Sequence, residues 1–488
     1  MGNNVLVDAW QAVLANTRLI GANKVNELRL GVNRMVSQNI QQRANTVNVV
    51  QELGIPDIDT SIPLFWGIPV FQFTGFSAIG ECNDCPFVNY NTTFQVKDDF
   101  SWTSGRHSFK FGGDTRRLRY NQVGAVVPRG RFSFSGQYTG NPIADGVLGI
   151  MNNSEGQVGA PIANFRNSYA GLYFQDTWKV SKKLTMNLGL RWEVEPPYLD
   201  KHDAIVNIDF RWDHSIPLTF VRAGEGDPYA GNPPFRLPAT IPYVRDGRFG
   251  RRATQVDWND WAPRAGLAYQ LNDKTVVRAS GGIYYVRDIG NAVFDVVRNA
   301  PFTIRRNEAA NTLTPNLSFQ RPFSITGAPT FILANTWNER TSYVSQWTFN
   351  IQREITKDMS YEIAYLGSAG NKLRRLTSYN DPRPGPGDIQ GRRPFPNLGN
   401  VQVMYAPSHS TYHALQMKLT HRFSNGFTLL SSYAWSKSID NGSGIRTTDG
   451  DTLITTDQNN LRRERGLSAF EFRHRWTSSF LLDQQLPI

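Results

Sequence analysis

Polar and apolar residues alternate along this chain in runs of roughly 10 to 15 residues, longer than the five to six usual in globular sheets. The clearest run begins at Leu184, where every second residue is apolar and the residues between are polar or glycine. Such a strand has one apolar and one polar face. A strand of about 9–11 residues can cross a bilayer at a tilt. We therefore expect one face of this strand to contact lipid, through Leu184, Met186, Leu188, Leu190 and Trp192.

The runs come in pairs that are joined by very short links and separated by long polar links. The predicted pairs are Val5–Leu19 with Val25–Arg34, Thr92–Thr103 with Arg106–Leu118, Asn167–Val180 with Lys183–Glu195, Trp261–Leu271 with Lys274–Tyr285, Tyr343–Ile355 with Asp358–Ser368, and Thr411–Phe423 with Gly426–Lys437. Short turns on one side and long loops on the other are typical of an outer-membrane barrel, whose two rims face different compartments. The pattern predicts an all-β fold, an antiparallel transmembrane β-barrel with long extracellular loops, of which about 13 strands are readable.

Composition agrees with this prediction without proving it. Mean hydropathy is -0.42, and the sequence contains no apolar run long enough for a transmembrane helix. Alternating strands keep average hydropathy low even in a membrane barrel. The strands of a soluble β-sandwich would alternate as well. Strand length and the arrangement of short and long links therefore distinguish a membrane barrel from a sandwich. Within the long link 119–166, the segment Gly130–Gly136 indicates a further short strand.

The formal net charge is +11, but Lys and Arg are spread along the whole chain rather than gathered in one stripe. We therefore expect no nucleic-acid partner. The simpler interpretation of the basic excess is a solvated rim and lumen. The alternative is contact with an anionic surface polysaccharide or an anionic solute.

Candidate chemistry is sparse, and we predict no catalytic, cofactor-binding or metal site and no enzymatic activity. Cys82 and Cys85, the only cysteines, are too few for a zinc site without further ligands. We expect them to form a small loop disulfide in an oxidising compartment. Asp449 and Asp451, with Asp457, could offer oxygen ligands to Ca²⁺, but a solvated acidic loop is the favoured interpretation.

Several segments together resemble the Oar-like TonB-dependent transporters of the outer membrane. They are Val25–Gly31, Asp98–Trp102, His107–Asp114, Tyr173–Lys179, Leu184–Glu193, Tyr412–Gln416, Ser432–Ser438, Asn460–Ser468 and Arg473–Arg475. The resemblance implies a barrel of about 22 strands, a plug inside it, and a carboxypeptidase-regulatory-like domain upstream. It also implies outer-membrane lipid and lipopolysaccharide as surroundings, an inner-membrane TonB-type energy coupler as partner through the plug, and a solute or macromolecular ligand of unknown identity.

Residues 1–488 would then be a partial barrel domain. We expect the plug, the regulatory-like domain, the signal peptide and the C-terminal strands to lie outside them. The predicted function is the barrel portion of a transporter, with ligand capture by the long loops and gated uptake across the outer membrane. Two alternatives stay open: an outer-membrane adhesin or structural barrel without transport, and a secreted β-rich carbohydrate-binding or carbohydrate-hydrolysing protein.

Overall fold

The computed structural model describes residues 2–286, 295–323, 331–423, 426–445, 455, 457–458 and 460–482. Long strands dominate these residues, and short elements occupy the links between them. The strands are β1 (Asn3–Ile20), β2 (Lys24–Gln41), β3 (Val70–Phe73), β4 (Phe87–Ser104), β5 (His107–Gly124), β6 (Arg131–Phe134), β7 (Asn153–Gly159), β8 (Ile162–Lys179), β9 (Leu184–Val194), β10 (Leu199–Asp200), β11 (Val206–Asp209), β12 (Thr219–Arg222), β13 (Tyr243–Val244), β14 (Asp260–Asn272), β15 (Thr275–Tyr285), β16 (Thr303–Ala309), β17 (Phe331–Asn335), β18 (Tyr343–Thr356), β19 (Met359–Ser378), β20 (Asn400–Arg422), β21 (Phe427–Asp440), β22 (Gly466–Leu467) and β23 (His474–Leu482). The helices are α1 (Val49–Glu52) and α2 (Pro142–Leu148), with 3₁₀ turns at Pro63–Phe65, Asp295–Arg298, Gln390–Arg392 and Leu461–Glu464.

The long strands form one antiparallel sheet in which neighbours in sequence are neighbours in space. Its order is β1-β2-β4-β5-β8-β9-β14-β15-β18-β19-β20-β21, and β23 pairs with the far side of β21. Each short link makes a tight hairpin; Ser104, for example, pairs directly with His107. The predicted all-β class and antiparallel meander are confirmed. Within the described residues the sheet is open, with β1 and β23 at its edges.

The predicted strand ends are accurate on the side of the short turns, but several fall short on the side of the long links. β2 runs to Gln41 instead of Arg34, β19 runs to Ser378 instead of Ser368, and β20 begins at Asn400 instead of Thr411. Part of each predicted long link is therefore strand. Outside the part of a strand that meets lipid, neither face has to be apolar. The alternation is therefore lost there, while the backbone hydrogen bonds of the strand continue.

The long links pack into a layer with its own hydrophobic cores, which we call the loop layer. Its largest cluster of buried side chains joins three links and includes Phe220, Ile332, Tyr379 and Val401. Two small sheets, β11-β12-β13 and β16-β7-β6-β3, belong to this layer. β17 also adds to the extended part of β20 in parallel. The short strand predicted within Gly130–Gly136 is present as β6.

A buried arginine supports the loop that contains the two cysteines, which form a disulfide. The Arg129 guanidinium donates to the Cys85 carbonyl at 3.0 Å and to the Cys82 carbonyl. Burial lowers the pKa of Arg129 to about 10, against the opposing effect of the Glu81 carboxylate. The guanidinium therefore stays protonated at neutral pH. Across the described residues, no helix is long and apolar enough to span a membrane.

Candidate functional site

The predicted lipid-facing residues of β9 share one side of the sheet, which we call the apolar face. Leu188 and Leu190 are 40% and 44% exposed, and Leu184, Met186 and Trp192 are half-buried. Their cross-strand neighbours on this face include Phe174 on β8 and Trp261, Leu267 and Tyr269 on β14. An exposed apolar face of this extent is suited to contact with lipid.

Asp176 interrupts the apolar face opposite Leu188. Its carboxylate lies 2.7 Å from Nδ1 of His107, whose ring stacks between Phe109 and Trp178. His107 comes directly after a short turn, at the rim of the sheet. Aromatic and ionisable side chains of this kind are common at the level of lipid headgroups.

The opposite side, the polar face, carries a network of ion pairs across four strands. The Asp99 carboxylate lies 2.8 Å from Lys97 Nζ and 3.7 Å from Lys110 Nζ, and it accepts a hydrogen bond from the Tyr173 hydroxyl. Asp99 is 5% exposed. One buried carboxylate thus faces two lysines on adjacent strands, which leaves positive charge in excess.

A second part of the network is centred on Asp114 of β5. Its two carboxylate oxygens accept from Arg116 at 2.9 Å and from Arg191 at 2.7 Å. Arg191 also bonds Glu193 and the Tyr169 hydroxyl. Its side chain lies over Gly171, where an added Cβ would come within 2.4 Å of the guanidinium. These contacts connect Arg191 of β9 to both β5 and β8.

A cavity of about 680 Å³ opens on the polar face, and we call it the wall cavity. Its charged lining side chains are all cations, namely Lys97, Lys110, Arg191 and Arg264. Uncharged hydrogen-bonding side chains complete the polar lining: Tyr173, Gln175, Asn187, Ser280, Tyr284, Gln346, Thr348, Ser368 and Tyr412. Gly189 and Gly266 contribute no side chain to fill it. The cavity is large enough for a small solute and offers it hydrogen bonds and positive charge.

Sequence reasoning assigned polar residues to one face but identified neither the ion network nor the wall cavity. A signal was present, because Lys97 and Asp99 on β4 stand opposite Asp114 and Gly112 on β5 once the short turn fixes the register. Alternating charge on matching phases of successive strands predicts such pairs. The Arg191–Asp114 contact spans non-paired strands, so it needed the three-dimensional structure.

No metal site emerges from the described residues, which contain no group of three or more His, Cys, Asp or Glu side chains placed to hold an ion. The possible calcium ligands Asp449 and Asp451 lie outside the described residues.

The chain is similar to several solved structures. The outer membrane transporter YddB from Escherichia coli matches with a TM-score of 0.50 at 9% identity, over 92% of this chain and 44% of that one. The ferric yersiniabactin uptake receptor FyuA from Yersinia pestis matches with a TM-score of 0.42 at 10% identity, over 98% and 47% of the two chains. Pyoverdine-bound FpvA from P. aeruginosa gives a TM-score of 0.46 at 9% identity, over 97% and 43%. This chain spans less than half the length of these proteins, and the likeness to YddB concerns the fold alone.

No curated protein sequence matches the chain significantly. The family model described as "Outer membrane beta barrel domain" matches residues 1–487, nearly the full sequence. The match agrees with the long-strand meander, the apolar face and the asymmetric links. The chain therefore belongs to the outer membrane beta barrel domain family, whose place is the outer membrane.

Proposed function

We propose that the chain forms part of the barrel wall of a TonB-dependent transporter and that its long loops capture a solute for uptake. One observation carries the proposal: the polar face holds an open cavity whose mixed lining combines apolar residues with hydrogen-bonding and cationic side chains. A solute path needs polar groups that bind weakly at several points, and this face supplies them. The resemblance of the sequence segments to Oar-like transporters supports the same conclusion.

An adhesin or structural barrel is the second candidate. It requires the apolar face and an exposed loop layer, but not an open cavity in the wall. The wall cavity therefore favours transport over adhesion. In the proposed transporter, the chain itself performs no covalent chemistry, and a plug makes the contact with the energy coupler.

Single cysteines on the two faces of β15 test the proposal. Ser280→Cys places a thiol in the wall cavity, whereas Ala279→Cys, its neighbour, places one on the apolar face. Cys82 and Cys85 form a disulfide and offer no free thiol to a maleimide. The full-length protein is labelled in living cells with a membrane-impermeant maleimide, before and after collapse of the proton-motive force.

We expect the Ser280→Cys protein to be labelled, the Ala279→Cys protein to resist labelling, and collapse of the proton-motive force to slow the first reaction. Equal labelling of both positions would contradict the assignment of the two faces. A labelling rate of Ser280→Cys that does not change when the proton-motive force collapses would contradict energised transport and support the structural barrel.

A further inference from the structure

The wall cavity contains one arginine whose charge is not balanced by a carboxylate. Arg191 and Arg264 lie on neighbouring strands and both line the cavity. Arg191 is paired with Asp114 and Glu193. Arg264 is exposed and forms no ion pair with any carboxylate of the described residues.

The surroundings of Arg264 hold its guanidinium in place while leaving its edge open. The guanidinium carbon lies 4.4 Å from the centre of the Tyr284 ring, so the two planes can stack. The aliphatic part of the side chain lies over Gly282, where an added Cβ would come within 2.9 Å of Arg264 Cγ. On the other side Arg264 faces Gly189, which also presents no side chain. Gly282 on β15 thus makes room for the Arg264 side chain, and Gly189 on β9 adds no side chain to the cavity beside it.

We propose that Arg264 is the recognition point for an anionic group, a carboxylate or phosphate, on the solute that enters the wall cavity. A planar guanidinium with a free edge binds such groups through two parallel hydrogen bonds. Lys97 and Lys110 share the single carboxylate of Asp99 and add to the positive potential of the cavity. The Tyr284 ring stacks on the Arg264 guanidinium, and this contact leaves the N–H groups of the guanidinium available to the solute. This inference rests on the proposed function, because it names the chemical class of the solute.

Binding of a simple anion to the purified full-length protein tests the inference. Citrate and pyrophosphate serve as probes and are titrated by calorimetry into protein held in lipid nanodiscs. Arg264→Gln removes the charge. Arg264→Lys keeps the charge but removes the planar guanidinium that can donate two parallel hydrogen bonds. Arg278→Gln is the matched control, because Arg278 lies on the same face outside the cavity lining and bonds Gln352.

We expect Arg264→Gln to weaken binding of at least one probe about tenfold or more, which corresponds to loss of one charge-assisted contact. Arg264→Lys should give an intermediate loss, and Arg278→Gln should bind as the parent protein does. Gly189→Gln offers a second variant with Arg264 intact, since an added Cβ would lie no closer than 3.5 Å to its neighbours and the longer side chain would fill the cavity. Gly189→Gln should weaken binding of the same probe by at least as much as Arg264→Gln does.

Equal affinity of the parent and Arg264→Gln proteins, or absence of binding of both probes to the parent protein, would overturn the inference. The measurement needs neither the energy coupler nor uptake. A failure of energised transport in cells would therefore leave the binding result intact, and a failure of anion binding would leave the transport proposal intact.

Discussion

At the scale of single residues, Asp114 stabilises the polar face because it holds Arg116 and Arg191 together. Its side chain is almost fully buried, while those of the two arginines are 30% and 18% exposed. Asp114→Asn would leave two partly buried cations without their shared carboxylate. We expect it to lower the free energy of unfolding by about 2 kcal/mol, less than for a fully buried pair because water reaches the arginines. Urea unfolding in lipid vesicles, followed by tryptophan fluorescence, measures this.

Glu27 provides the matched control for a carboxylate on the same sheet. It pairs with Arg29, and this pair is more exposed: 29% of the Glu27 side chain and 50% of the Arg29 side chain are accessible to solvent. Exposed pairs contribute about 0–1 kcal/mol, so Glu27→Gln should shift the unfolding midpoint only slightly. A loss as large as that of Asp114→Asn would mean that burial of the ion network does not determine its strength.

For the strand as an element, the decisive property is which face meets lipid. Leu188 lies near the middle of β9 on the apolar face, and Asn187 beside it lies on the polar face, where its side chain bonds Thr177. Leu188→Arg should destabilise the folded protein in a bilayer by about 2–4 kcal/mol, as expected for a cation at the membrane midplane. Asn187→Arg should lower the free energy of unfolding by about 1 kcal/mol or less, mainly because the hydrogen bond that the Thr177 hydroxyl donates to Asn187 is lost. Unfolding in vesicles compares the two variants, and similar losses would contradict the assignment of the apolar face.

The elements were largely predictable, because a repeat of two residues and very short turns each constrain the register. From Lys274 to Thr356 the predicted strand ends differ from the observed ones by no more than one residue. The extensions into the long links were not predictable from alternation, since apolar and polar residues occur on both phases there, as Val401, Val403 and Met404 do in β20. A segment without alternation looks the same in a paired strand and in a loop.

At the scale of the whole molecule, the largest departure from expectation is that the long links form a packed layer. Pro, Gly and Asn in these links indicate turns, but no local pattern shows which links share a core. Phe220, Ile332 and Val401 come from three different links and meet in one cluster. The parallel pairing of β17 with β20 likewise joins segments distant in sequence. Such contacts depend on how the sheet brings the links together above one rim.

The shared core predicts that the loop layer opens as a unit, separately from the sheet. Phe220 is fully buried in this core, so Phe220→Ala should lower the free energy of opening the loop layer by about 3–5 kcal/mol. We expect faster hydrogen exchange not only in β12 but also in β17 and in the 400–404 part of β20, with β9 and β14 unchanged. Phe76→Ala, at a loop residue 61% exposed, is the matched control and should leave all these segments protected. Exchange measured by mass spectrometry on the full-length protein in nanodiscs distinguishes the outcomes. If only β12 loses protection, the links fold independently; if β9 and β14 lose it as well, the layer and the sheet form one cooperative unit.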